Sequence, residues 1–143
     1  MGKLVSLACA GLVLAALPAL AQEGPEQTCA GKVRLHGPIW DTANNALEPG
    51  LDTVFDVVAK TIRERCGAKL VVIEAHAYEM PSPELNLKLS ELRGAIVRYE
   101  LVKRGVAANR LLAAPLGDTR PLTLIDSPDD AARNRRITFR VAD

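Results

Sequence analysis

Three stretches of this chain place charged and amide side chains where they can act together. Asn86, Ser90 and Arg93 are spaced four and three residues apart, so on a helix they stack along one face. Glu74, His76 and Tyr78 alternate, so on a strand they share one face at its end. Arg135, Arg136 and Arg140 form a basic edge near the C-terminus, with Arg136 and Arg140 expected together on the solvent face. Such a set can hold a ligand. Arg suits a carboxylate because it binds it through two parallel hydrogen bonds, and an acidic side chain suits an ammonium.

The same residues do not assemble a catalyst. Ser90 has no histidine near it on the helix, so it is not activated as a nucleophile. His76 reads as a satisfied imidazole at a strand end. His36 has no partner His or free Cys at ligand spacing, so no metal site and no cofactor are expected. Asp129 and Asp130 read as the start of a short helical turn with a solvated acidic pair.

Regular elements must position these groups. Lys32 to Leu35 alternates and predicts a first strand, with Val33 and Leu35 inward. Leu51, Val54, Phe55, Val58 and Ile62 recur at helical spacing, with Pro49 expected in the first turn and Gly67 as the stop. Leu70 to Ile73 is a continuous apolar run, as in a strand covered on both faces. Ser82-Pro83-Glu84 starts a second helix, whose buried face is expected to be Leu85, Leu89, Leu92, Ile96 and Tyr99; Gly105 stops it. The Asn86–Ser90–Arg93 stripe would then be the opposite, solvated face. Leu111 to Ala114 predicts a short strand. Ile137, Phe139 and Val141 mark the inward side of a last one. The order predicts an α/β two-layer sandwich, a mixed βαβαββ-type sheet packed against helices.

The chain has 143 residues, a one-domain length, and 48% hydrophobic with 24% charged residues is ordinary globular composition. Aromatics are only 3%, so the core must be aliphatic and stacking platforms for bases or sugars are not expected. Residues 1–21 read as a secretory signal. Lys3 is its positive end, Leu4 to Leu17 its apolar run, and Ala19-Leu20-Ala21 its cleavage site. The run is too short for a membrane span, so no transmembrane segment is expected after cleavage. Residues 22–31 read as a short leader and 32–143 as the domain. Of 18 basic residues the signal removes Lys3, leaving 17 against 17 acidic ones. That balance argues against nucleic acid or an anionic membrane as main partner. Cys9 leaves with the signal. Cys29 and Cys66 remain, an even pair in an oxidising compartment, which suggests a disulfide worth roughly 3–4 kcal/mol on the chain-entropy model.

Five blocks in register carry a family resemblance. They are Val72-Ile73-Glu74-Ala75-His76-Ala77-Tyr78; Asn86 to Gly94; Gly105-Val106 with Asn109-Arg110-Leu111; Gly117 to Pro121; and Asn134-Arg135-Arg136-Ile137. From about Lys32 to Val141 the chain resembles the OmpA-like domain, found also at the C-terminus of flagellar stator proteins. The resemblance implies a periplasmic module that binds the diaminopimelate-containing stem peptide of peptidoglycan noncovalently. By position, Arg93 and Arg135 would take the ligand's carboxylate with help from Asn86. Tyr78 stands where the family has the Asp that pairs with the ammonium. Glu79, or Glu84 at the helix start, could supply that anion instead. The alternative is an OmpA-like scaffold that has lost this ligand and binds a periplasmic protein partner, a reading motivated by Tyr78 and the loop from Met80 to Pro83.

Overall fold

The computed structural model describes residues 34–36, 39–41, 45–123 and 127–142. The expected signal (1–21), the leader (22–31) and Cys29 lie outside the described residues. In chain order the elements are β1 (Arg34–His36), α1 (Asp52–Arg65), β2 (Val71–His76), α2 (Pro83–Lys103), a short 3-10 turn (Ala108–Arg110), β3 (Leu111–Gly117), α3 (Pro128–Asn134) and β4 (Arg136–Val141).

The four strands form one sheet in the order β1-β4-β2-β3. β4 lies antiparallel to both β1 and β2, while β2 and β3 run parallel. A parallel pair needs a long crossover, and α2 supplies it. The helices pack on the sheet face formed by Val71, Ile73, Ala75, Ile137 and Phe139, all buried in one core with Phe55, Val58, Ala59 and Ile62 of α1. This is the expected α/β two-layer sandwich with a mixed sheet. The outer face carries Val72, Glu74 and His76 of β2 opposite Arg140, Thr138 and Arg136 of β4.

Helix α1 buries Phe55, Val58 and Ile62 of its expected apolar stripe while Val54 is 36% exposed, and it begins at Asp52, leaving Pro49 in the preceding turn. Its last turn ends at Cys66 and Gly67, with Gly67 at φ +54. Helix α2 begins where expected, with the Ser82 hydroxyl accepting from the Leu85 N–H and Pro83 in first place. Its buried face is not the expected one. Asn86, Ser90, Arg93, Gly94, Val97 and Leu101 face inward, while Leu85, Leu92 and Tyr99 are exposed.

The reason is local fit. At Gly94 an added Cβ would lie 3.3 Å from Ala113 Cβ and 3.5 Å from Ala75 Cβ, so the helix sits close on the sheet there. That approach seats Ser90 against the end of β3, where its hydroxyl accepts from Gly117 N–H (3.0 Å) and donates to the Leu87 carbonyl (2.8 Å). Gly117 has φ +51, and a Cβ there would meet Leu87 N at 3.0 Å, so glycine is required for this contact. The β2–β3 ladder slips between Ala75 and His76, so that Ala75 faces Pro115 while His76 faces Gly117. The irregularity turns the strand ends toward the start of α2.

At the other end of α2, Arg104 joins the helices. Its guanidinium donates to Asp56 (2.8 Å) and Asp52 (2.6 Å) of α1, pairs with Glu100, and lies 5.4 Å over the Phe55 ring. The hydrogen bond to Glu100 is the main cause of its raised pKa.

Candidate functional site

The buried polar stripe of α2 meets the loop that leaves β2. Burying an amide, a hydroxyl and a guanidinium is costly unless each finds partners, and here each does. Asn86 Oδ1 accepts from the backbone N–H of Glu79 (3.2 Å) and Met80 (2.9 Å). Its Nδ2 donates to the Met80 carbonyl (3.2 Å) and to Asp118 Oδ2 (2.9 Å). The whole hydrogen-bonding capacity of that amide is thus used within the protein. Asn86 shapes the Glu79–Met80 loop and has nothing left for a ligand.

Arg93 is only 2% exposed, and it is the largest of the fully buried side chains. Its guanidinium carbon lies 5.1 Å over the ring of Trp40. Nε donates to Asn45 Oδ1 (3.0 Å) and Nη1 donates to Glu79 Oε1 (2.6 Å). Burial lowers the Arg93 pKa from its ordinary value, and the Glu79 carboxylate opposes that shift. Glu79 itself is gripped from two further sides. Its Oε2 accepts from the Tyr78 backbone N–H (2.8 Å), and its Oε1 lies 3.6 Å from Arg135 Nε.

The structure therefore gathers Arg93, Glu79, Arg135, Asn86 and the Tyr78 backbone in one place. Of the two candidate anions, Glu79 is inside this group and Glu84 is on the exposed first turn of α2. Arg135, just after α3, is the accessible cation, with 28% of its side chain exposed, against 16% for Glu79.

Sequence reasoning missed three members of the site. Trp40 and Asn45 lie in the irregular segment between β1 and α1, where Asn45 holds a left-handed φ of +56. Asp118 lies in the turn after β3. The signal available for Trp40 was its being the single tryptophan in a chain poor in aromatics.

Arg136 departs from its expected place in solvent. It is buried on the outer sheet face and donates to the carbonyls of Arg120 (3.0 Å) and Asn134 (3.4 Å), while Arg140 beside it is exposed and pairs with Glu74 at 3.1 Å. His76 lies across from Arg136 in the ladder. It is buried, and among the described residues neither ring nitrogen has a hydrogen-bond partner, so it is not the satisfied imidazole expected. Two nitrogens of the neighbouring guanidinium donate to backbone carbonyls.

Burial, then Arg136, pull the His76 pKa from 6.5 down to about 4; Glu74 acts the other way and Arg120 adds a little. The unfolded chain therefore binds this proton more readily than the folded one. The stabilising contribution of neutral His76 is whole above pH 6.5 and is lost as pH falls through that window toward 4. The midpoint of thermal unfolding is expected to drop across this interval. A His76→Leu variant should show a clearly shallower drop in the same scan, and an identical pH profile would remove His76 as the cause.

Among the described residues no group of His, Cys, Asp or Glu is arranged to hold a metal ion, and no helix is long and apolar enough to cross a membrane. Cys66 is buried at the end of α1.

Comparison with known proteins gives the chain its family. Residues 41–135 match the OmpA family model, a span that includes Arg93, Glu79, Asn86 and Arg135. The chain is 38% identical over 66 residues to the peptidoglycan-associated lipoprotein of Brucella melitensis, covering 46% of this chain and 39% of that protein. It spans about two fifths of that relative's length. It is 26% identical over 133 residues to outer membrane protein A of Bordetella avium, covering 93% of this chain and 66% of that one. Among solved structures, the cell wall anchor of the type VI secretion system from Pseudomonas aeruginosa superposes with a TM-score of 0.62 at 25% identity, over 74% of this chain and 76% of that one. The chain belongs to the OmpA family.

Proposed function

We propose that this domain binds peptidoglycan noncovalently through the stem peptide, holding the zwitterionic head of diaminopimelate between Glu79 and Arg135. The carrying observation is the convergence of Arg93 and Arg135 on the Glu79 carboxylate, at 2.6 and 3.6 Å. A zwitterion needs one anion and one cation at fixed separation. Glu79, one residue past the position where the family has its Asp, is the anion for the ammonium. Arg135 is the reachable cation for the carboxylate. Arg93 works beneath them as a positioning residue that fixes Glu79, and Asn86 fixes the loop that carries it. Export by the N-terminal signal and a Cys29–Cys66 disulfide belong to the same reading, since both suit a small periplasmic domain.

A second reading has its own observation. Tyr78 replaces the family's acidic residue, and Met80, two residues on, is 40% exposed, so the rim of the site offers some apolar surface for a periplasmic protein.

The test is co-sedimentation of the protein, purified from the periplasm of an expression host, with diaminopimelate-type sacculi. The wild type is expected in the pellet, and Arg135→Ala should bind roughly 10-fold more weakly for loss of one charge-assisted contact. No retention of the wild type would discard peptidoglycan as ligand and favour the protein partner.

A further inference from the structure

The two halves of the site are carried by parts of the chain that are far apart in sequence. Glu79 stands in the loop after β2, and Arg135 follows α3. Each half adjoins a buried asparagine. Asn86, 2% exposed, holds the Glu79–Met80 loop, and Asn134, 1% exposed, immediately precedes Arg135.

One short segment after β3 reaches both asparagines. Asp118 Oδ2 accepts from Asn86 Nδ2 at 2.9 Å. Farther along, the Leu122 and Thr123 N–H groups donate to Asn134 Oδ1 at 2.7 and 3.3 Å, and Asn134 Nδ2 donates to the Thr123 carbonyl at 3.0 Å. Between these ends the Arg120 carbonyl accepts from Arg136 Nη2 at 3.0 Å. The residues before and after Arg135 are thus both tied to this segment. It is also firm where it leaves β3. The Gly117 N–H donates to the Ser90 hydroxyl, and the Thr119 N–H and hydroxyl both donate to the Leu116 carbonyl, at 3.1 and 2.7 Å. Pro121 fixes one more backbone angle. Thr119, Arg120, Pro121 and Leu122 are exposed, so the segment adds little to the core; what it adds is connection.

We propose that Asp118 is a positioning residue of the site, and that the segment it opens, from Asp118 to Thr123, sets the separation of Glu79 and Arg135. This rests on the reading of those two side chains as the anchors of the zwitterion. An ammonium and a carboxylate on one carbon are a fixed distance apart, so anchors that drift lose one of the two contacts. Asp118 acts through Asn86. Without its carboxylate the Asn86 amide loses one of its four hydrogen bonds, and the loop bearing Glu79 gains freedom. The charge of Asp118 is not what matters, because a neutral amide oxygen accepts from Asn86 as well.

Two measurements on the full, periplasmically purified protein test this. The first is amide hydrogen exchange in the absence of ligand. Asp118→Ala should speed exchange at Glu79 and Met80, whose N–H groups Asn86 holds, and leave Ile73 in the middle of β2 unchanged. Asp118→Asn should exchange like the wild type. Unchanged exchange at Glu79 and Met80 overturns the proposal, and so does a rise that extends to Ile73, which would mark a general loss of stability. The second is co-sedimentation with diaminopimelate-type sacculi. Asp118→Ala should bind roughly fivefold more weakly, the worth of one hydrogen bond, and Asp118→Asn should bind like the wild type. An Asp118→Asn protein as weak as the alanine variant would make the charge a direct partner of the ligand and overturns the positioning role. A wild type absent from the pellet discards the peptidoglycan reading, and this inference with it. A wild type that binds, beside an Asp118→Ala protein that binds equally well, overturns this inference alone.

Discussion

Replacing Arg93 by alanine is expected to destabilise the domain by about 3 kcal/mol, since removing one partner of a buried ion pair is strongly destabilising. Three losses add. The side chain fills space beneath Trp40, so its removal leaves a void. The Asn45 amide oxygen loses the donor at 3.0 Å. Glu79 loses the closest of its cations, leaving Arg135 at 3.6 Å. The figure stays at the lower end of the range for buried pairs because the Glu79 side chain keeps some contact with water. Urea unfolding followed by the fluorescence of Trp40, the single tryptophan, reads both the midpoint and the site itself. Arg93→Lys should cost roughly half as much, because the charge survives but the fork that reaches Asn45 and Glu79 together does not. A loss below about 1 kcal/mol for the alanine variant would show that the guanidinium is not part of the packed structure. This expectation reverses the simple reading of a polar helix stripe, under which Arg93 could be removed without harm to the fold.

Because Arg93 serves the fold, the ligand is better interrogated through Glu79. Glu79→Gln is expected to weaken retention on diaminopimelate-type sacculi by roughly 10- to 100-fold, the value of one charge-assisted hydrogen bond. The amide keeps the size of the side chain and can still accept from the Tyr78 N–H, so the loop should hold its shape. Tyr78→Asp alone is expected to change affinity little, since the anion is already supplied one residue later. In the Glu79→Gln background the same Tyr78→Asp change should recover part of the loss. An isotherm measured for all four proteins settles the matter. Unchanged binding by Glu79→Gln would remove it as the ammonium partner. Tighter binding would mean that its carboxylate competes with the ligand for Arg135 and Arg93.

The architecture is largely legible in the sequence, and the reason is visible in particular elements. The stripe of Phe55, Val58 and Ile62 faces the core of α1, so periodicity and burial agree there. Val71 to Ile73 is apolar because both of its faces are covered. Helix α2 breaks the rule in both directions. Its leucine seam looks like core and lies outside, while Asn86, Ser90 and Arg93 look like surface and lie inside. Periodicity weighs each residue by its own polarity, whereas burial of these three depends on partners far along the chain: Asp118 for Asn86, Gly117 for Ser90, Asn45 and Trp40 for Arg93. Position in the family blocks pointed to Asn86, Arg93 and Arg135, and only the folded loop could choose Glu79 over Glu84. Trp40 and Asn45 reach the site from an irregular segment whose path no local pattern specifies.

The place of β4 has a consequence for how the chain reaches this fold. The strand nearest the C-terminus lies inside the sheet, with Thr138 opposite both Arg34 and Glu74. Until residues 136–141 are delivered, β1 has no neighbour and β2 has one bare edge. Synthesis runs from the other end, and so distant a closure is slow. The chain therefore cannot complete its core early. On the proposed reading of residues 1–21 as an export signal, this order of strands keeps the chain open while it is threaded across the membrane.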